Sequence, residues 1–194
     1  MRKDLISSVV AVVALTAIFG LAYPLAITGI AQVAFPGRAD GSHVVRNGTV
    51  VGSRLLGQDF SADPSLFQSR PSATGYDAAA TAFSNLGPNS RKLRDEIARR
   101  AGAYLRREGP YTPGLTRAAI PADAVQSSAS GVDPHISVAN ARIQAGRVAA
   151  RTRLPRERVM ALVLANTDGR ALGLLGERGV NVLLLNLAIQ EARR

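Results

Sequence analysis

Residues 6–30 read ISSVVAVVALTAIFGLAYPLAITGI and lie inside a longer interval, between Asp4 and Arg38, that holds no charged side chain. At 1.5 Å of rise per residue, about 20 residues of helix cross the roughly 30 Å hydrocarbon core of a bilayer. The stretch therefore reads as a transmembrane helix over residues 8–31, with a short tail at 1–7 and a single soluble domain over 32–194. A cleaved secretory signal is the competing reading. Arg2 and Lys3 would form its basic start, and Gly20-Leu21-Ala22 its small-x-small cleavage site. The apolar run continues past Ala22 through Leu25, Ile27 and Ile30, which is too long for a signal core of about 7–15 residues. Thr16 with Gly20, and Ala22 with Ala26, are small-xxx-small pairs that let a second helix approach. Pro24 is expected to kink or end the helix. One span and a medium-sized domain cannot enclose a transport pathway, so the chain reads as a subunit or an anchored module.

Beyond Pro36, 158 residues remain, enough for one domain with its own core. They carry 22 basic and 13 acidic side chains, a formal charge of +9. That excess suits anionic headgroups or an acidic partner. Nucleic acid is not expected: the chain has no tryptophan, few aromatics and no recognisable binding module. Charge does not orient the span, since Arg2 and Lys3 precede it and Arg38 and Arg46 follow. The absence of cysteine fits an extracytoplasmic domain without disulfides and is compatible with either side.

The pattern along the domain is α+β. Val44-Val45-Arg46-Asn47-Gly48-Thr49-Val50-Val51 predicts a hairpin turning at Asn-Gly, with Ser53 to Phe60 extending its second strand. Asn89 or Ser90 caps a helix running to about Arg107, with Leu93, Ile97, Ala101, Tyr104 and Leu105 on one stripe and a basic solvated face opposite. Residues 109–122 read as a proline-rich loop. A second helix is expected from Asp133-Pro134 or Ser137 to about Arg153. A third follows Pro155, burying Val159, Leu162 and Val163. A short strand near Ala171 to Leu175 precedes a terminal helix with Val180, Leu183, Leu184 and Leu187 inward.

Catalytic machinery is sparse. Two histidines, His43 and His135, and no cysteine leave no structural zinc site, and no metal is expected. The only lysines are Lys3 and Lys92, and neither follows a glycine-rich phosphate loop. The Asp-Lys-Thr-Gly-Thr motif of P-type pumps is missing too, so this chain is not expected to hydrolyse ATP. The densest chemistry lies in Ser127-Ser128-Ala129-Ser130-Gly131-Val132-Asp133-Pro134-His135-Ile136-Ser137. Read as an enzyme, the segment offers Ser128 or Ser130 as nucleophile and His135 as base, making a membrane-anchored serine hydrolase the alternative function. Read as structure, it is a strand end, a glycine turn and a helix start, with Asp133 and Ser137 accepting from free N–H groups and an anion as possible guest. The loops Ser84 to Ser90 and Arg70 to Ala73 are turn chemistry first and interface second. An external solute-binding module is a further alternative.

Motif order then carries a resemblance. Tyr23-Pro24-Leu25, Phe35-Pro36, Val51-Gly52-Ser53 and Leu56-Gly57-Gln58 are followed by Arg70-Pro71-Ser72-Ala73, the Ser84 to Pro88 loop and Ser128-Ala129-Ser130-Gly131. Asp133-Pro134-His135-Ile136-Ser137, Gln144, Arg147-Val148-Ala149 and Val180-Asn181-Val182-Leu183 close the series. Over nearly its whole length the chain resembles the C subunit, or small chain, of the Kdp-type potassium-transporting ATPase, the KdpC family. Val132 stands where the family usually has leucine, and Tyr76-Asp77-Ala78 and Thr81-Ala82-Phe83 depart from its pattern. The resemblance implies a non-catalytic, single-pass subunit in a bacterial cytoplasmic membrane, its soluble domain outside. Its partners would be a potassium-selective channel-like subunit and a P-type ATP-hydrolysing subunit. It also implies a catalytic chaperone that raises the ATP affinity of the latter, with Ser128, Ser130, Gly131 and Gln144 as nucleotide contacts. ATP, shared with the hydrolysing subunit, is then the only cofactor implied. An external domain and an ATP contact sit awkwardly together.

Overall fold

The uncharged run forms unbroken helix from Arg2 to Ala34 in the computed structural model, which describes residues 1–80 and 82–194. It is long and apolar enough to cross a membrane, and none of its central residues is buried within the chain. It comprises α1 (Arg2–Leu15), a π-helical stretch (Thr16–Ala22) and α2 (Tyr23–Ala34). The Tyr23 N–H donates to the Ile18 carbonyl, five residues back rather than four. This widened turn lies directly before Pro24, which has no N–H to return, so the irregularity has a covalent cause. Thr16, Gly20 and Ala22 all lie in the π-helical stretch, while Ala26 sits in α2. The tail expected over residues 1–7 is helical from Arg2.

After a single turn, α3 (Pro36–Ala39), come β1 (His43–Arg46) and β2 (Thr49–Ser53). They pair antiparallel around Asn47 and Gly48, both at positive φ as the tight hairpin turn demands. A bulge between Val44 and Val45 shifts the register. The second strand stops at Ser53 and does not continue towards Phe60; the Ser53 hydroxyl instead donates to Gly41 O at 2.7 Å. These elements form one compact unit, Met1–Ser53; the second is Arg54–Arg194.

In the second unit, α4 (Arg91–Glu108) begins at Ser90, whose hydroxyl accepts from the Leu93 N–H. β3 (His135–Ser137), β4 (Thr167–Asp168) and β5 (Gly179–Asn181) make an antiparallel sheet in the order β3-β5-β4. α5 (Val138–Thr152), α6 (Arg156–Ala165) and α7 (Val182–Ala192) pack with it. The core gathers Leu66, Phe67, Ile136, Val148, Val163 and Leu185, among others.

Of the two starts expected for α5, Ser137 is the one used and not Asp133-Pro134, because residues 135–137 are claimed by the sheet. Two expectations change. The strand expected near Ala171 to Leu175 is only a single bridge between those two residues. The terminal helix starts after Asn181, so Val180 belongs to β5, and Val182, Leu183, Leu185, Asn186 and Ile189 are buried while Leu184 and Leu187 are only partly so. Thr81, in one of the departures from the family pattern, lies outside the described residues.

Candidate functional site

The serine-rich segment bounds two clefts of the second unit. Ser127, Ser128 and Ala129 face Phe83, Asn85 and Leu86 across one, about 430 Å³ in volume. His135, Asp133 and Asp168 line the other, also about 430 Å³, with Arg70, Glu177 and Arg178.

Gly131 lies at the end of the serine loop, outside the lining of the first cleft. Its φ is 76°, and a Cβ there would stand 2.8 Å from Thr74 Oγ1 and 3.2 Å from Ala82 O. Both the backbone conformation and the space require glycine. The Ser72 hydroxyl donates to Gly131 O at 2.6 Å and accepts from the N–H groups of Thr74 and Tyr76, so one side chain ties the 70–76 turn to the serine loop. Ser130 Oγ accepts from the Val132 N–H, and Ser128 is buried.

The second cleft holds a chain of charges. His135 Nε2 lies 2.9 Å from Asp168 Oδ2, and its Nδ1 lies 3.7 Å from Asp133 Oδ1, an ion-pair rather than a hydrogen-bond distance. Arg54 pairs with Asp168 at 2.7 Å and Arg70 with Asp133 at 2.8 Å. The Asp133 carboxylate, with Asp168 behind it, raises the pKa of His135 above its ordinary value against the opposing effect of burial. Burial works to raise both carboxyls, yet His135 and the two arginines outweigh it and hold Asp133 and Asp168 below the usual range. Carboxylates flank both ring nitrogens, and Ser128 and His135 line different clefts, so the segment does not assemble the serine–histidine pair a hydrolase needs. Nor is the start of α5 open to an anion. Ser137 Oγ accepts from the Asn140 N–H, and Asp123 accepts from Ser137 N, Ser137 Oγ and Asn140 Nδ2. Asp133 contributes elsewhere, accepting from the His135 N–H.

Gln144 lies away from both clefts, 1% exposed on the inner face of α5. Its Oε1 accepts from Gln68 N at 2.8 Å and Arg147 Nη2 at 3.0 Å, and its Nε2 donates to Gln68 O and Asn140 Oδ1. Asn186 on α7 does the same for Phe67, accepting from its N–H and donating to its carbonyl. Arg147 Nη1 donates to the carbonyls of Pro64 and Leu66, while its Nε reaches both oxygens of Glu108. Three side chains on two helices thus supply residues 64–68 with the pairing that a neighbouring strand would give. Glu108 and Arg147 are fully buried, so each depends on the other to offset its desolvation. Burial pulls the Arg147 guanidinium below its ordinary pKa, with Glu108 opposing. The sequence reading missed Glu108, Asp123 and Asp168 as partners; an acidic residue directly after Arg106 and Arg107, at the end of the helix, was the one visible sign of the first.

The sequence matches known proteins over nearly its full length. The family described as K+-transporting ATPase, c chain, matches residues 5–191. The potassium-transporting ATPase KdpC subunit of Rhodospirillum rubrum is 47% identical over 193 residues, covering 98% of this chain and 97% of that one. Its counterpart in Bradyrhizobium diazoefficiens is 45% identical over 206 residues, with 99% and 98% covered. That of Mycobacterium tuberculosis H37Rv is 44% identical over 191 residues, with 97% and 98% covered.

Proposed function

The chain belongs to the family of the K+-transporting ATPase c chain, and on that premise we propose that it is a non-catalytic accessory subunit of a high-affinity, ATP-driven potassium pump. It joins a potassium-selective channel-like subunit to a P-type ATP-hydrolysing subunit and stabilises the assembly. The observation that carries this is the match over residues 5–191, which takes in the apolar helix and the folded unit together. The helix holds the protein in the bacterial cytoplasmic membrane as a single pass, with the soluble unit outside.

The finer role is that of a catalytic chaperone, raising the ATP affinity of the hydrolysing subunit. For this the two groups of family-derived residues divide. Ser130 is exposed on a loop in which Ser128 and Gly131 are buried, and Ser128 lines an open cleft suited to touching a partner or its nucleotide. Gln144 supports that surface from within, by holding Gln68 and the segment before Arg70.

Removing the chain is expected to abolish growth at micromolar potassium and to destabilise the purified pump. Transport that persists without it would defeat the reading. Protease treatment of intact cells against inverted vesicles fixes the side of the soluble unit: cleavage only in inverted vesicles would place it inside. ATP titrations of the pump with wild-type chain and with Ser128→Ala/Ser130→Ala test the chaperone role, and an unchanged ATP dependence would remove it.

A further inference from the structure

The link between β4 and β5 displays the most exposed large apolar side chains of the second unit. Leu172, Leu174 and Leu175 are 91%, 81% and 64% exposed. This is an ordered tip. The Ala171 N–H donates to Leu175 O at 2.8 Å and the Leu175 N–H to Ala171 O at 2.9 Å, with further bonds from Gly173 N to Arg170 O and Leu174 N to Ala171 O. Gly173 and Gly176 take positive φ, and so does Leu172 at 53°, a conformation that a leucine side chain disfavours. The backbone thus holds three leucines in water at a cost in strain, although none packs on the core.

We infer that this tip, Leu172, Leu174 and Leu175, is a docking knob that fits an apolar socket with an acidic rim on a neighbouring subunit of the same ATPase. The inference rests on the subunit reading above, which requires such a neighbour. Arg170 and Arg178 flank the leucines, and residues 54–194 carry 20 basic and 12 acidic side chains, a formal +8, so an acidic rim is the complementary surface. A bilayer is the poorer occupant. Insertion at the lipid interface combines Lys or Arg with leucine and with an aromatic belt of Trp, Tyr or Phe. The tip has leucine and arginine but no aromatic residue, and the acidic Glu177 stands beside it, 3.9 Å from Arg170. Three fixed leucines on a tight turn instead suit a preformed pocket, where little freedom remains to be lost on docking.

The chain's lack of cysteine makes the test direct. The full-length protein with Leu174→Cys is labelled with acrylodan and placed in lipid nanodiscs, alone and assembled with the other subunits of the pump. Emission is expected to move to the blue and lose access to iodide only in the assembly. In parallel, Leu172→Asn, Leu174→Asn and Leu175→Asn are combined. Asparagine tolerates the left-handed position, so the thermal midpoint should hold. The concentration of full chain needed to complete a pump lacking it should rise about tenfold or more, as for loss of a buried interface anchor. Leu164→Asn, at another exposed leucine on α6, should leave it unchanged. A triple variant that assembles like wild type overturns the inference, as does a label already shielded in the nanodisc without partners, which would mean that lipid covers the tip. If the wild-type chain itself fails to assemble, the subunit reading falls and the knob with it. Assembly of wild type and variant alike sinks the knob alone.

Discussion

Gln144→Ala separates a structural residue from a nucleotide contact. The substitution removes four hydrogen bonds, two of them to the backbone N–H and carbonyl of Gln68, which is itself buried. A buried polar group stripped of its partner costs about 1–3 kcal/mol. Two such groups give roughly 2–6 kcal/mol, and water entering the space left by the amide recovers part of it. Arg147 retains Glu108 and the carbonyls of Pro64 and Leu66, so the ion pair survives. A net loss of about 3 kcal/mol is expected, a large share of the roughly 5–15 kcal/mol that holds a domain together. With a urea dependence of about 2 kcal/mol per molar, the unfolding midpoint should fall by about 1.5 M at unchanged slope.

The assay is urea denaturation of the full-length chain in detergent, followed by circular dichroism beside an ATP titration of the assembled pump. Gln144→Glu keeps the acceptor for Gln68 N and Arg147 but turns a buried carboxylate oxygen towards Gln68 O and Asn140 Oδ1, so it should cost at least as much as alanine. A Gln144→Ala chain that unfolds like wild type, yet no longer changes the pump's ATP affinity, would refute the structural assignment. The residue would then have to reach ligand through a conformation in which residues 64–68 are released.

Protonation of His135 should stabilise the second unit. Its folded pKa lies above the unfolded value of about 6.5, so its contribution is complete below that pH and is lost as pH rises through the folded pKa. Asp133 and Asp168 are depressed from about 3.8, so theirs is present above that pH and fades as pH falls through their folded values. Thermal melts of His135→Gln against wild type should therefore differ most between about pH 4 and 6.5 and converge as pH rises past the folded pKa of His135; equal midpoints at pH 5.5 would contradict this. Gly146→Ala, which in an open helix would add up to about 1 kcal/mol, should instead destabilise, since its Cβ would meet Tyr111 O at 2.6 Å; a raised melting temperature would show that the 109–111 turn yields. In the membrane, Gly20→Ile should leave the helix inserted but weaken assembly, because a branched side chain replaces hydrogen on the face shared with Thr16, whose Cγ2 is 3.7 Å from a Cβ built there. Undiminished copurification would assign helix contact to another face.

Local chemistry made much of this fold legible. Asn47-Gly48 between β-branched runs specifies its hairpin, and Ser90 and Ser137 cap the helices that follow them. The phase of α7 was not legible, for a physical reason. Asn186 lies on the buried face because its amide pairs with Phe67, 119 residues earlier, and a hydrophobicity pattern counts that position as outward. The same holds for Gln144, paired 76 residues away, and for Glu108 with Arg147. Long-range polar pairing leaves no periodic mark. In the serine segment the reading by turn chemistry placed Asp133 and Ser137 at the helix terminus; Ser137 caps it, while Asp123 stands where Asp133 was expected, since nothing local says which of two acidic residues will arrive.

Between β2 and α4, the described residues of the 54–90 stretch form neither helix nor strand, a length at which a chain without regular structure is ordinarily functional or loose. Here much of it is pinned from outside. Gln144, Arg147 and Asn186 hold residues 64–68, Arg70 pairs with Asp133, Ser72 bonds Gly131, and the Tyr76 hydroxyl donates to Arg70 O. Burial pushes the Tyr76 phenol up to about 12, so it remains a donor throughout the physiological range. Apart from the Tyr76 bond, which lies within the segment, each of these ties runs to a regular element or to the serine loop and the residues that follow it. This chain distributes its buried polar contacts to hold loops in place. A protein that acts by presenting a fixed surface to larger neighbours needs that distribution, because order present before docking is order that docking need not impose. The polar core is then part of how the subunit works, and substitutions deep within it should reach the pump through the shape of the loops that it fixes.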